Sequence, residues 1–226
     1  MKKLNVKKGC EITLIITITN TKGGVGKTYL STVLAQLLAR ETDSGVCAVS
    51  VDPNGCHTTL IDSENDNPLF PKIAVLESVK KIPSVDDIAG YSHAVIDMPP
   101  GPDPALVKEA IEISDIVMIP FTPERHAYLQ TLRLREDVEN YAPNKPCYYI
   151  CMTGEPPLDY QKRIMREAYK ELYPCSECPF TPRIWTNIAE KKPFDTKVPI
   201  SDVRPFLAVL ASCRDQLKSR KLLGIA

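Results

Sequence analysis

The residues best suited to chemistry lie together in Asn20–Thr28, which reads NTKGGVGKT. Gly23, Gly24 and Gly26 let a backbone wrap with its N–H groups turned inward, and a helix opening directly after them adds the positive end of its dipole. Lys27 stands where an ammonium meets the β- and γ-phosphates of a nucleotide, and the Thr28 hydroxyl where it ligates Mg²⁺. With Lys22 and Val25 these residues form a phosphate cradle from Lys22 to Thr28. The strict pattern of such loops, GxxxxGK[ST], places its first glycine where this chain has Thr21. A glycine has been lost and a second cation, Lys22, gained.

Two aspartates extend the same chemistry. Asp52 ends the apolar run VCAVSVD, and Pro53 stops that strand from continuing. A carboxylate there faces the phosphates and is placed to orient a water or to help hold the magnesium. Asp97 ends HAVID, as the acidic partner of a phosphate loop does, and would accept from a magnesium-bound water or from Thr28. Pro99, Pro100 and Gly101 then make a stiff loop at the γ-phosphate. A backbone cradle, Mg²⁺, cations and a positioned water are what phosphoryl transfer requires. The implied reaction is therefore hydrolysis of a nucleoside triphosphate.

These residues need a scaffold that brings loop ends together. EITLIITIT reads as a strand, and a helix follows from Thr28 to about Arg40, with Leu30, Val33, Leu34, Leu37 and Leu38 at helical spacing. VCAVSVD, KIAVL, HAVIDM, DIVMIPF and KPCYYICM continue as strands two to six, and TPRIW is a seventh candidate. Helices are expected near Pro104–Ile113, from about Pro123 to Tyr141, from about Leu158 to Leu172 and from about Val203 to Ser219. Strands alternating with helices of this length imply an α/β fold: a mostly parallel twisted sheet with helices on both faces. Ligands bind such a sheet at the carboxyl ends of its strands. A short basic tail (residues 1–10) followed by a single domain (11–226) is the expected organisation.

With 226 residues, the chain can bury one sizeable core, and its 43% hydrophobic and 25% charged residues exclude a disordered class. No apolar run reaches the length of a membrane span. Lysines before the first strand imitate a signal peptide, but threonines interrupt the run and no small-residue cleavage site follows. The expectation is a cytoplasmic protein without stable membrane insertion. Net charge is zero yet uneven: residues 52–124 hold thirteen acids against four bases, and residues 183–226 nine bases against four acids. Such polarity steers a polyanion to one face.

KGGVGKT, Lys22–Thr28, resembles the deviant Walker A loop of the ParA/MinD family of ATPases, whose pattern is KGGxxK[ST]. VDPNGCHTTL, VIDMPPG and SDIVMIPFTPE resemble later segments of that family. Ser50, Asn54 and Tyr29 depart from its usual residues. The resemblance implies a P-loop fold, ATP and Mg²⁺ as cofactors, and Asp52 at the catalytic aspartate. It further implies that Lys22 reaches across a homodimer to the partner's ATP. The absence of room for a helix-turn-helix domain before the first strand points to the small partition ATPases. Their implied behaviour is an ATP-dependent sandwich dimer that binds double-stranded DNA without sequence preference, associates with the nucleoid, and is released by an activating ParB-like partner. The candidate DNA contacts are Lys191, Lys192, Arg204, Arg214, Lys218, Arg220 and Lys221.

Two other readings stay open from the residues. RDQLKSRKLLGIA at the C-terminus has basic and apolar residues fit for a weak interfacial anchor, as in the MinD branch. Cys175 and Cys178 have the CxxC spacing of an iron–sulfur carrier on the same scaffold. The alternative for that pair is two thiols in a proline-bounded loop, and for the remaining cysteines a reduced core.

Overall fold

The computed structural model describes residues 14–41, 45–52, 73–77, 81–153, 157–172 and 175–179. In chain order the elements are β1 (Leu14–Ile18), α1 (Lys27–Glu41), β2 (Val46–Ser50), β3 (Ile73–Glu77), α2 (Val85–Ile88), β4 (His93–Asp97), α3 (Pro104–Ile113), β5 (Ile116–Phe121), α4 (Arg125–Tyr141), β6 (Cys147–Thr153), α5 (Asp159–Glu171) and β7 (Cys175–Pro179). The seven strands form one sheet in the order β3-β2-β4-β1-β5-β6-β7. Every pairing in it is parallel.

The sheet is buried on both faces, which is why its strands read as continuous apolar runs rather than as alternation. Residues of opposite parity feed two separate cores. Ile16, Ile18, Ala48, Val95 and Met118 pack with Leu30, Leu34 and Leu38 of α1. Ile15, Cys47, Val49, Ile96, Ile119 and Phe121 pack with residues from α2 to α5, among them Ile111, Leu134 and Ile164. Thr17 in the middle of β1 is also buried, and Ser114 and the carbonyl of Ala110 take up its hydroxyl.

Burial pushes the Cys47 thiol up to about 12, so at pH 8 only on the order of 10⁻⁴ of it is thiolate. Iodoacetamide is expected to leave Cys47 unmodified in the native protein and to modify it after urea unfolding, as read by peptide mass spectrometry. Labelling of the native protein would contradict the burial.

Three elements differ from the sequence expectation. α4 begins at Arg125 rather than near Pro123, because Glu124 keeps an extended backbone (φ −109°, ψ 140°) and serves as the cap residue. Its amide bonds back to Thr122. α2 was not expected, although Ser84 and Asp87 carry the capping box that starts it. The CxxC pair does not sit in a loop. Cys175–Pro179 is a strand paired with Tyr149–Thr153, the last in the sheet among the described residues. Residues 181–185 and 203–219, expected as a strand and a helix, lie outside the described residues, as do the basic tail and the C-terminal segment.

Candidate functional site

Strand register builds the site. Asp97 pairs with Ile18 on one side and with Ser50 on the other, so β1, β2 and β4 end side by side. Their loops carry the glycine loop, Asp52 and Asp97–Gly101. Met98 N–H donates to Ile18 O and Val51 N–H to Asp97 O, which ties the three strand ends together just before the chain leaves the sheet.

In the glycine loop, Gly24 (φ +73°) and Gly26 (φ +90°) adopt the left-handed backbone that other residues avoid. Lys27 opens α1 and is nearly fully buried, at 6% exposure. Its Nζ donates to Lys22 O at 3.0 Å, across the mouth of the loop. Burial lowers the Lys27 pKa below the ordinary lysine value, while the negative charges of Asp97 and Asp52 pull it the other way. A buried ammonium with two carboxylates near it is the electrostatic core of the site.

Thr28 Oγ1 donates to Asp97 Oδ2 at 2.8 Å, and Asp97 is fully buried. A hydroxyl and a carboxylate are hard oxygen donors of the kind Mg²⁺ takes alongside substrate phosphates. The donor set therefore fits that ion, which Thr28 and Asp97 would hold. Asp52 follows β2, is half-buried, and lies close enough for its charge to act on Lys27.

The Pro-Pro-Gly loop packs against the glycine loop. Gly101 N–H donates to Thr21 O at 2.9 Å. Pro100 Cβ lies 3.5 Å from where a side chain on Gly23 would begin, so the two loops touch. The structure thus gathers Lys22, Gly23, Gly24, Val25, Gly26, Lys27, Thr28, Asp52 and Asp97 at one sheet edge. Lys191, Lys192, Arg204, Arg214, Lys218, Arg220 and Lys221 lie outside the described residues.

Sequence reasoning missed a set of side chains that hold the start of the loop. Asn20, fully buried, donates through Nδ2 to Pro120 O (2.9 Å) and to Thr131 Oγ1 (3.1 Å), and its Oδ1 accepts from Lys22 N–H (3.0 Å). Thr21 Oγ1 donates to Gln130 Oε1 at 3.0 Å. An asparagine just after a strand was a visible signal. Gln130 and Thr131 in the middle of α4 gave none. Arg125 lines a groove of about 440 Å³ with Tyr160, Arg163, Ile164 and Glu167.

The chain matches the CobQ/CobB/MinD/ParA nucleotide binding domain over residues 16–224. It belongs to that family. Among curated relatives it is similar to the maintenance of carboxysome distribution protein A of Gloeobacter kilaueensis, at 29% identity over 109 residues. That alignment spans 48% of this chain and about half (49%) of the relative's length. A ParA family protein of Mycoplasma pneumoniae is 25% identical over 182 residues, covering 59% of this chain and 67% of the relative. Among solved structures, a plasmid partition protein of Borrelia burgdorferi bound to AMPPNP superposes with a TM-score of 0.70 at 19% identity, over 88% of this chain and 98% of that one. At that identity the likeness is one of fold. The family member described here is a nucleotide-binding domain with the P-loop ATPase architecture, and no helix among its described residues is long and apolar enough to cross a membrane.

Proposed function

We propose that this chain is a ParA-like positioning ATPase, which hydrolyses ATP and uses the cycle to place a cargo along DNA. The observation that carries the reading is the loop itself: a buried Lys27 beside Asp97 and Asp52, preceded by a second lysine, Lys22. ATP stays anionic after binding one Mg²⁺, so a cation supplied from a partner subunit ties nucleotide binding to dimerisation. In this reading Lys27 neutralises phosphate charge, and Thr28 and Asp97 hold the metal. Asp52 orients the attacking water. Lys22 acts on the nucleotide of the other subunit. Mg²⁺ held by Thr28 and Asp97 would offset the charge that develops on the phosphates.

Relatives named for plasmid partition and carboxysome distribution support a positioning role, with cargo as the feature that varies among them. The ATP dimer would bind duplex DNA through phosphate contacts, with the basic residues of 183–226 as candidates. An activating partner protein would trigger turnover and release.

Binding to random duplex DNA tests this reading. It is measured with ATP·Mg²⁺, with ADP and without nucleotide, over a salt series. Binding is expected only with ATP·Mg²⁺, and log K should fall linearly with log salt, by a slope near −0.9 per phosphate contact. Absence of binding in every nucleotide state removes DNA as the track and leaves the nucleotide chemistry untouched.

A further inference from the structure

The first residues of the phosphate loop are held by a helix far away in sequence. Asn20 and Thr21 meet Thr131 and Gln130 of α4 as two adjacent rungs, at 3.1 and 3.0 Å, across sequence separations of 111 and 109 residues. The helix side is itself braced: Thr131 Oγ1 donates to Ala127 O at 2.9 Å. Gly101 N–H holds Thr21 O from the other side. The next residue is Lys22. Its N–H is bonded to Asn20 Oδ1, and its carbonyl accepts from Lys27 Nζ. Its backbone is therefore fixed on both flanks, while among the described residues no ion pair engages its ammonium.

We propose that Asn20 and Thr21, gripped by Thr131 and Gln130, are positioning residues for Lys22. This inference rests on the reading that Lys22 acts on the partner subunit's nucleotide. A lysine side chain is a flexible four-carbon stem with a mobile point charge. Reaching a phosphate in another subunit costs conformational entropy, and that cost is smaller when the backbone carrying the stem is already in place. A glycine at position 21 would do the reverse, since it has no side chain to bond Gln130 and widens the backbone's freedom. The lost glycine and the gained lysine are thus one feature. Thr21 supplies the tether that a reaching Lys22 needs.

The test uses the full chain and three readouts: affinity for a fluorescent ATP analogue, ATP-dependent dimerisation by light scattering, and turnover. Thr21→Val and Gln130→Ala each delete the outer rung at half-buried positions, where the fold tolerates change. Asn20→Ala deletes the inner rung and carries the folding risk of a buried polar site. Thr21→Val and Gln130→Ala are expected to leave analogue affinity within about twofold and to weaken dimerisation and turnover about three- to tenfold. Combined with Lys22→Ala, neither should add to the loss that Lys22→Ala causes alone, because they act through that residue. Additive losses, or an affinity loss as large as the dimerisation loss, mean that the rungs shape the loop in general and overturn the proposal. Silent Thr21→Val and Gln130→Ala beside a defective Lys22→Ala sink the positioning role and spare the cross-subunit reading. If Lys22→Ala dimerises and turns over normally, both fall.

Discussion

Lys27→Ala is expected to abolish measurable nucleotide binding, with affinity for ATP·Mg²⁺ lowered about 10²- to 10³-fold or more. The Lys27 ammonium is nearly fully buried at the start of α1, with Lys22 O at 3.0 Å and the charges of Asp97 and Asp52 close by. Truncating one partner of a buried, hydrogen-bonded charge pair, here the ammonium and the phosphate it would meet, costs about 2–5 kcal/mol of binding. Asp97, fully buried beside Thr28, stays at the site. Incoming phosphates would meet a carboxylate with no ammonium between them. Titration calorimetry with ATP·Mg²⁺ checks this, and affinity within tenfold of the unmodified protein would refute the role given to Lys27.

Stability should respond differently from binding. The ligand-free fold holds Lys27 at a lowered pKa because burial outweighs its attraction to the carboxylates. The protonated lysine is therefore a burden on the fold below its folded-state pKa. That burden is relieved as pH rises through the folded value towards the unfolded one, because over that window the unfolded chain binds more protons. This group makes the ligand-free protein more stable at alkaline pH, and Lys27→Ala should flatten that rise while leaving the melting temperature at neutral pH unharmed. A lysine retained at a cost to the fold is explained by the phosphates it meets.

Asp52→Ala is expected to keep the ATP-bound dimer and to lower turnover by about 10²- to 10⁴-fold, the range for losing a positioned proton acceptor. The two aspartates divide the work by where their strands end. Asp97 is the residue bonded to Thr28, so in the proposed reading the metal side of the site would be its task. Asp52 stands one strand further out, half-buried, with its charge reaching Lys27. Losing it leaves the phosphate cradle and Lys22 in place, so binding and dimerisation persist while the attacking water is no longer oriented. Single-turnover kinetics together with light scattering in ATP separate the two effects. Normal hydrolysis by Asp52→Ala would show that another group positions the water.

The placement of the candidate site was legible because it is local. Gly24, Gly26, Lys27 and Thr28 stand at fixed spacing within one loop, and a glycine-rich turn between an apolar strand and a helix has few other uses. Asp52 and Asp97 were legible because an acid closing an apolar strand is a local pattern too. β7 was not. Cys175–Pro179 lies at the sheet's edge among the described residues, pairs there with β6, and contains a serine, a glutamate and a proline. Short, polar and proline-bearing composition suits an edge strand and looks like a loop when read as sequence.

The sequence by itself determined that a glycine-rich loop opens α1, that two aspartates close later strands, and that the sheet is mostly parallel. Only the tertiary structure decided what holds the cradle. Strand order puts β5 beside β1, and the helix that follows β5 therefore packs against the start of the loop. Asn20 and Thr21 find their partners in Thr131 and Gln130 for that reason. No periodicity or motif reports a hydrogen bond between residues more than a hundred positions apart, because the chain's neighbours in space are chosen by packing a whole sheet and not by any one segment.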